Sequence, residues 1–307
     1  MEENILSPTA KLQNLDSLWD PLDPAASEAR FRALMPDRQS LTGKEQSYVI
    51  ELLALVARAE ALQGKYAEAH VSLKAAEQLL SKDGQATIPA EARLRWLLES
   101  GRIHVLEKTP SQARSLLAEA WTLATSSGAD GFVVDVAQMM AVIENPKAQQ
   151  EWILRAIEIA ERSTQANAKR LLGGLYMTSG WKHFDMRQYE KSLEIFQKAI
   201  THCREVGSKR EAFVAKWATG KVLRALGKTE EALAIQQNLL GELGIGGERD
   251  GRLYEEIAEC LQSLRREPEA QLYFELAYRE LSDDEWVTDN QPVKLKRMKD
   301  LGKVKGS

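Results

Sequence analysis

The 307-residue sequence lacks the features that mark membrane, secreted and nucleic-acid-binding proteins. No apolar run approaches the ~18 residues that a membrane-spanning helix needs. The first residues, MEENILSPTAK, are acidic and have neither the basic start nor the apolar run of a signal peptide. Lys and Arg number 41 against 45 Asp and Glu, so the net charge of −4 is too balanced to favour nucleic acid or an anionic membrane as a partner.

Cysteine and proline are scarce as well. The two cysteines, Cys203 and Cys260, fall within helical patterns far apart in sequence. That spacing argues against a disulfide framework and favours a reduced, cytoplasmic protein. Five of the nine prolines lie outside the central region, which leaves that region free to form helices. These five are Pro8, Pro21, Pro24, Pro36 and Pro292.

Sequence motifs for known chemistry are missing too. The chain contains no GxxxxGK[ST], HExxH, GxSxG or paired CxxC pattern. The glycine run GIGGERDGR follows no apolar strand, so we interpret it as a loop. His104 and His183 lie three residues after a glycine, where a half-buried structural histidine is expected. The adjacent His202 and Cys203 point to different sides of a helix. We therefore predict no enzyme activity, no metal site and no cofactor.

What the chain does contain is a repeating helical pattern. In YEKSLEIFQKAITHCREVGS, Tyr189, Leu193 and Phe196 form one apolar stripe on one helix. This stripe belongs to a frame of three positions. A small residue comes first, a bulky apolar residue follows sixteen positions later, and a second small residue follows nineteen positions after the first. The frame is found at six places: Ala57, Leu73, Ala76; Gly101, Leu117, Ala120; Ala137, Ile153, Ala156; Gly180, Phe196, Ala199; Gly220, Gln236, Leu239; and Ala258, Phe274, Ala277. The fifth set alone departs from it, with Gln236 where an apolar residue is expected and Leu239 where a small one is.

Glycine at the first position of this frame needs a physical reason, because glycine inside a helix costs about 1 kcal/mol relative to alanine. The close approach of a second helix supplies that reason. Gly64-Lys65 and Gly227-Lys228 supply turn signals between the two helices of their frames. Each frame is therefore predicted to form a first helix, a tight turn and a second helix.

The pattern resembles the tetratricopeptide repeat, and GKYAEAHVSLKAA and RQYEKSLEIFQKA match its turn and second-helix motif closely. The resemblance covers residues 47–281. It implies an all-α, right-handed superhelical solenoid of about six helix hairpins with capping helices at both ends. Successive frames are 44, 36, 43, 40 and 38 residues apart, longer than the family unit of about 34 residues. The chain also resembles bacterial tetratricopeptide proteins of similar length, a likeness that implies no activity.

We divide the chain into four parts. Residues 1–24 form an acidic segment that is either disordered or packed on the repeat array, and residues 25–46 form an N-terminal capping helix. Residues 47–281 form the array of six helix pairs. Residues 282–307 form a C-terminal capping helix with a basic tail. A short basic helix could also contact nucleic acid or an acidic partner, but we favour the cap.

The resemblance implies that the first helices line a concave groove. Residues one after, three before and four after the first small residue would point into it. These positions predict a groove that is cationic, then aromatic, then cationic again and finally acidic. Exposed tryptophan and arginine often carry binding energy. We predict ligand contacts from Arg58, Arg102, Gln138, Trp181, Phe184, Trp217, Lys221, Arg224, Glu255 and Glu259. The alternative is that these tryptophans pack between repeats and the charges only solvate the surface.

The function predicted from this groove is a non-enzymatic scaffold that binds a peptide segment of a partner protein with acidic and apolar residues. One alternative is a regulatory sensor for a signalling peptide or a small molecule. Another is a groove occupied by the chain's own segment NLDSLWDPLDP until a ligand releases it. Four residues of that segment suit Arg58 and Arg102: Asp16, Trp19, Asp20 and Asp23. The Lys and Asn pair of the family's chaperone clamp is absent, so chaperone docking is not predicted.

Overall fold

The computed structural model describes residues 15–36, 43–82, 89–244 and 249–304. Residues 1–14 of the acidic segment and 245–248 of the glycine run GIGGERDGR lie outside these ranges. Within them the chain is helical and has no strand. A 3-10 segment, Leu15–Leu18, precedes sixteen α-helices: α1 Pro24–Ala33, α2 Gly43–Leu62, α3 Tyr66–Lys82, α4 Ala90–Leu106, α5 Pro110–Ser127, α6 Asp130–Ile143, α7 Pro146–Arg162, α8 Ala166–Arg170, α9 Leu172–Asp185, α10 Tyr189–Glu205, α11 Lys209–Ala225, α12 Thr229–Leu243, α13 Gly251–Ser263, α14 Glu267–Leu281, α15 Glu285–Asn290 and α16 Pro292–Leu301.

These helices pack in consecutive pairs, which confirms the predicted all-α class and the six hairpins. The pairs are α2 with α3, α4 with α5, α6 with α7, α9 with α10, α11 with α12, and α13 with α14. The chain divides into two compact units, Met1–Leu171 and Leu172–Ser307. The first unit contains α1 to α8 and the second contains α9 to α16.

The turns inside the pairs explain how the sequence reverses direction so tightly. Gly64 and Gly227 have φ values of 77° and 79°, the left-handed conformation that glycine adopts without steric cost. Lys108 holds the same place in the second pair at φ 59°. In the third pair Asn145 caps α7 by accepting from two backbone N–H groups, and Pro146 begins the helix.

The frame glycines lie where their second helix approaches most closely, as predicted. A Cβ on Gly101 would lie 2.8 Å from Leu117 Cγ, and one on Gly180 would lie 2.7 Å from Phe196 Cδ1. Gln236, which breaks the apolar pattern, is fully buried against Gly220. Its Nε2 donates to the Trp217 carbonyl at 3.0 Å, so the amide fills the apolar position with its donor satisfied.

A further helix packs against the first and the last hairpin, α1 against α2 and α16 against α14. Phe31 of α1 is fully buried in a cluster with residues of α2. At the other end, Leu295 and Met298 of α16 are buried in the core of the second unit. A Cβ on Gly302 would lie 2.7 Å from the Glu275 backbone nitrogen, so only glycine fits where the chain leaves α16 against α14.

Candidate functional site

A buried carboxylate, that of Glu99 on α4, organises the first helices of the first unit. Arg102 Nε donates to Glu99 Oε2 at 2.8 Å. Arg58 Nη1 on α2 lies 3.5 Å from Glu99 Oε1, and Arg95 Nη1 lies 4.0 Å from the same oxygen. Three guanidinium groups therefore share one carboxylate that has no solvent exposure. Two of the predicted groove residues, Arg58 and Arg102, meet in this cluster.

Arg102 also reaches the next first helix, α6. Its Nη2 donates to Asp135 Oδ1 at 3.3 Å, and its Nη1 donates to Met139 Sδ at 3.2 Å. Burial lowers the pKa of Arg102, but the carboxylates of Glu99 and Asp135 outweigh it and raise the pKa above its usual value. Gln138 of α6, the third predicted residue in this unit, is half-buried.

The Trp19 ring, ahead of α1, lies against Arg58. The Arg58 Cζ atom is 4.2 Å from the centre of the Trp19 ring, and that ring stacks on Phe31 with a centroid separation of 6.2 Å. Asp20 and Asp23 form local hydrogen bonds: Asp20 accepts from the Leu22 N–H in the turn before α1, and Asp23 accepts from the Ala26 N–H in its first turn. Of the predicted partners for the arginines, Trp19 therefore contacts Arg58, whereas the side chain of Asp16 lies outside the described residues.

Three predicted aromatic residues come together in the second unit, on the first helices α9 and α11. The Trp181 ring centre lies 5.5 Å from that of Phe184 and 5.8 Å from that of Trp217. All three side chains are half-buried. Trp181 also packs edge-on against the buried Phe196 at 5.1 Å, and Trp217 Nε1 donates to the Arg252 carbonyl at 3.3 Å. We call Trp181, Phe184 and Trp217 the aromatic surface.

The predicted cations of the second unit are paired with a buried carboxylate. Glu256 on α13 accepts from Arg224 Nε at 2.5 Å and from Arg224 Nη2 at 3.2 Å. Lys221 Nζ lies 3.4 Å from the same carboxylate and 5.4 Å from the Trp217 ring centre. Burial lowers the pKa of Arg224, but the bond to Glu256 more than compensates, so the net shift is upward.

The predicted acidic end is covered by α16. Glu255 pairs with Lys294 at 2.6 Å, and Glu259 pairs with Arg297. The bond to Glu259 raises the pKa of Arg297. Since Glu255 faces α16 and the adjacent Glu256 faces α11, the two carboxylates do not form a pair.

Sequence reasoning missed the acidic partners Glu99, Asp135 and Glu256, although the repeat frame contains a signal for them. Each carboxylate lies two residues before the first small residue of its frame. Each contacts the cation that follows the small residue of the preceding frame, namely Arg58, Arg102 and Lys221. After Gly180 the following residue is Trp181, which carries no charge, and the corresponding position two before Gly220 holds Ala218 instead of a carboxylate. Reading the two positions together would have identified the pairs.

Groups able to carry out chemistry are engaged in packing. His104 Nδ1 lies 2.9 Å from Thr109 Oγ1 and His183 Nδ1 lies 2.6 Å from Gln188 Oε1, so both histidines are the structural residues that were predicted. Burial and the neighbouring Glu211 carboxylate raise the pKa of the Cys203 thiol to about 11, which favours the neutral thiol. Among the described residues, no group of three or more His, Cys, Asp or Glu side chains is placed to hold a metal ion. No described helix is long and apolar enough to span a bilayer.

Comparison with known proteins identifies the class of fold. No protein-family model matches the sequence, and no curated protein matches it. The structure is similar to the apo form of RapI, with a TM-score of 0.66 and 12% identity over 84% of this chain and 71% of that chain. It is similar to the apo form of the quorum sensor NprR from B. thuringiensis, with a TM-score of 0.60 and 15% identity over 92% of this chain and 78% of that one.

A third similar structure is PH0952 from Pyrococcus horikoshii, a signal transduction ATPase with a tetratricopeptide repeat sensor. The TM-score is 0.53 and the identity 14%, over 80% of this chain and 38% of that chain. At these identities the similarity establishes the fold, which is a tetratricopeptide-like array of helix hairpins. This confirms the resemblance that the repeat frame indicated.

Proposed function

We propose that this chain is a non-enzymatic scaffold that binds a peptide segment of a partner protein along its first helices. The observation that carries the proposal is the aromatic surface. Trp181, Phe184 and Trp217 lie side by side on adjacent first helices and keep part of their rings exposed. Large aromatic side chains held rigidly at a surface are typical centres of binding energy.

The ionic contacts narrow the set of residues that we propose as ligand contacts. Lys221 and Arg224 are held by Glu256, while Glu255 and Glu259 are held by α16. We assign these four a role in fastening neighbouring helices. Arg102 is held in the same way by Glu99 and Asp135. The aromatic surface, Arg58 and Gln138 remain as the proposed contacts, and they suit a segment with apolar and acidic residues.

A regulatory sensor is the second candidate function, and two observations favour it. NprR, whose fold is similar, is a quorum sensor, and PH0952 has a tetratricopeptide repeat sensor. In this chain Trp19 already lies on Arg58, so a ligand that binds Arg58 would act on the N-terminal segment. If the segment competes with the ligand, Trp19→Ala will raise ligand affinity; unchanged affinity would reject the competition.

The scaffold proposal predicts that Trp181→Ala abolishes capture of peptides that the intact protein selects from a displayed random library. We expect the affinity for a selected peptide to fall at least tenfold, which corresponds to the ~1.4 kcal/mol or more that a buried aromatic anchor contributes. The measurement is fluorescence anisotropy of the labelled peptide, with helicity checked by circular dichroism.

Trp286→Ala is the matched control, because Trp286 lies on α15 outside the aromatic surface and is 56% exposed. It should leave the affinity unchanged. Equal losses in Trp181→Ala and Trp286→Ala, or no enriched peptide from the library, would contradict the proposal.

A further inference from the structure

The two cation pairs that the sequence places near the ligand differ in how their hydrogen-bond donors are used. In the second unit, Arg224 forms a two-bond contact with Glu256, and Lys221 lies against the same carboxylate. An arginine in such a contact has its strongest partner already. This pair therefore has few hydrogen-bond donors available for a ligand.

In the first unit the donors outnumber the good acceptors. A guanidinium carries five N–H donors. Arg58 makes no hydrogen bond to any described residue, since its Nη1 is 3.5 Å from Glu99 Oε1 and its buried Nε has no acceptor. Arg102 gives its Nη1 donor to the sulfur of Met139, which is a weak acceptor. Glu99 Oε2 accepts from Arg102, whereas its Oε1 lies 3.5 Å from Arg58 Nη1 and accepts no hydrogen bond.

Part of Arg58 remains accessible. Its side chain is 21% exposed, although its Nε is buried without a hydrogen-bond partner. Trp19 covers one face of the group, with the Arg58 Cζ atom 4.2 Å from the centre of its ring. Burial lowers the pKa of Arg58, Glu99 offsets only part of this, and Arg102 lowers it further. An additional anion beside Arg58 would therefore be stabilised.

We propose that Arg58, stacked on Trp19, is a carboxylate-binding subsite and that the acidic residue of the ligand binds there instead of at Lys221 and Arg224. A carboxylate fits because its two oxygens match the edge of a guanidinium. Its single negative charge also suits a cluster that already contains Glu99 and Asp135, whereas a phosphate dianion would add repulsion there. The identity of the ligand as a peptide rests on the proposed function, but the subsite does not.

The test uses the full chain labelled with 5-fluorotryptophan, followed by fluorine NMR. The Trp19 resonance is identified by its loss in Trp19→Phe. Two carboxylate probes are titrated at constant ionic strength: N-acetylglycine, which imitates a peptide C-terminus, and N-acetylaspartate amide, which imitates an acidic side chain. Their uncharged counterparts, N-acetylglycinamide and N-acetylasparagine amide, are the controls.

We expect a saturable shift of the Trp19 resonance with the carboxylates and none with the amides. Whichever carboxylate binds more tightly identifies the source, chain end or side chain. Arg58→Gln should weaken binding at least tenfold, and Lys221→Gln should leave it unchanged. Arg58→Lys keeps the charge but loses the planar pair of donors, so it should also weaken binding, and it serves if Arg58→Gln does not fold.

The subsite is overturned if the amides shift the resonance equally, if no saturation occurs, or if the response survives in both Arg58 variants. The outcome is separable from that of the peptide library. A carboxylate response without any peptide binding would reject the scaffold and keep the subsite. Peptide binding without a carboxylate response would reject the subsite and keep the scaffold.

Discussion

Gly180→Leu is expected to disrupt the α9–α10 hairpin and to destabilise the second unit by about 3 kcal/mol or more, at the upper end of the cost of overpacking. A Cβ at this position would lie 2.7 Å from Phe196 Cδ1, and Phe196 is fully buried. The remaining leucine carbons would have to displace that ring. Urea unfolding measured by circular dichroism, with amide hydrogen exchange to locate the loss, checks the prediction.

Gly174 provides the matched control on the same helix. A Cβ at Gly174 meets no atom within 4 Å, and the residue is exposed. Gly174→Leu should therefore be neutral or stabilise the helix by up to ~1 kcal/mol, because leucine has the higher helix propensity. Equal stability of the two leucine variants would show that α9 and α10 do not pack through Gly180.

Glu99→Gln is expected to destabilise the first unit by about 3 kcal/mol, since it removes the buried carboxylate that Arg58, Arg95 and Arg102 share. Arg102 keeps its pair with Asp135, whereas Arg58 loses its ion pair. The substitution preserves the size of the side chain, so the loss reports on charge and not on packing. Thermal and urea unfolding of the purified variant measure it.

An exposed pair serves as the reference for this variant. Arg93 and Glu119 are 2.5 Å apart, but their side chains are 41% and 49% exposed. Glu119→Gln should cost less than ~1 kcal/mol. If Glu99→Gln costs no more than Glu119→Gln, the arginines are satisfied without the carboxylate, and the account of the cluster is wrong.

The hairpins could be predicted from the sequence because their determinants are local. The small residue and the bulky residue of one frame, such as Gly180 and Phe196, are sixteen positions apart and meet across one tight turn. Gln236 looked like a break in the pattern. It fits because its long side chain still reaches past Gly220, and its amide finds the Trp217 carbonyl. The frame therefore tolerates a polar residue whose donor is satisfied.

The candidate site was harder to predict, because it depends on contacts between neighbouring hairpins. The repeat frame predicts which positions face the groove, but it does not show which charged side chains are already paired. Arg224, for example, is bound by Glu256 of the following hairpin. Arg297 comes from α16, which has no second helix and shows no repeat frame in the sequence. The aromatic surface could be predicted because it needs only residues on the exposed side of two adjacent first helices.

The measurement that tests the central claim most directly is hydrogen–deuterium exchange of the intact protein with and without a library-selected peptide. The account predicts slower exchange in the first helices α9 and α11 upon binding, with the second helices α10 and α12 unchanged. Protection confined to the second helices, or spread equally over both helices of each pair, would contradict the claim that ligands bind along the first helices.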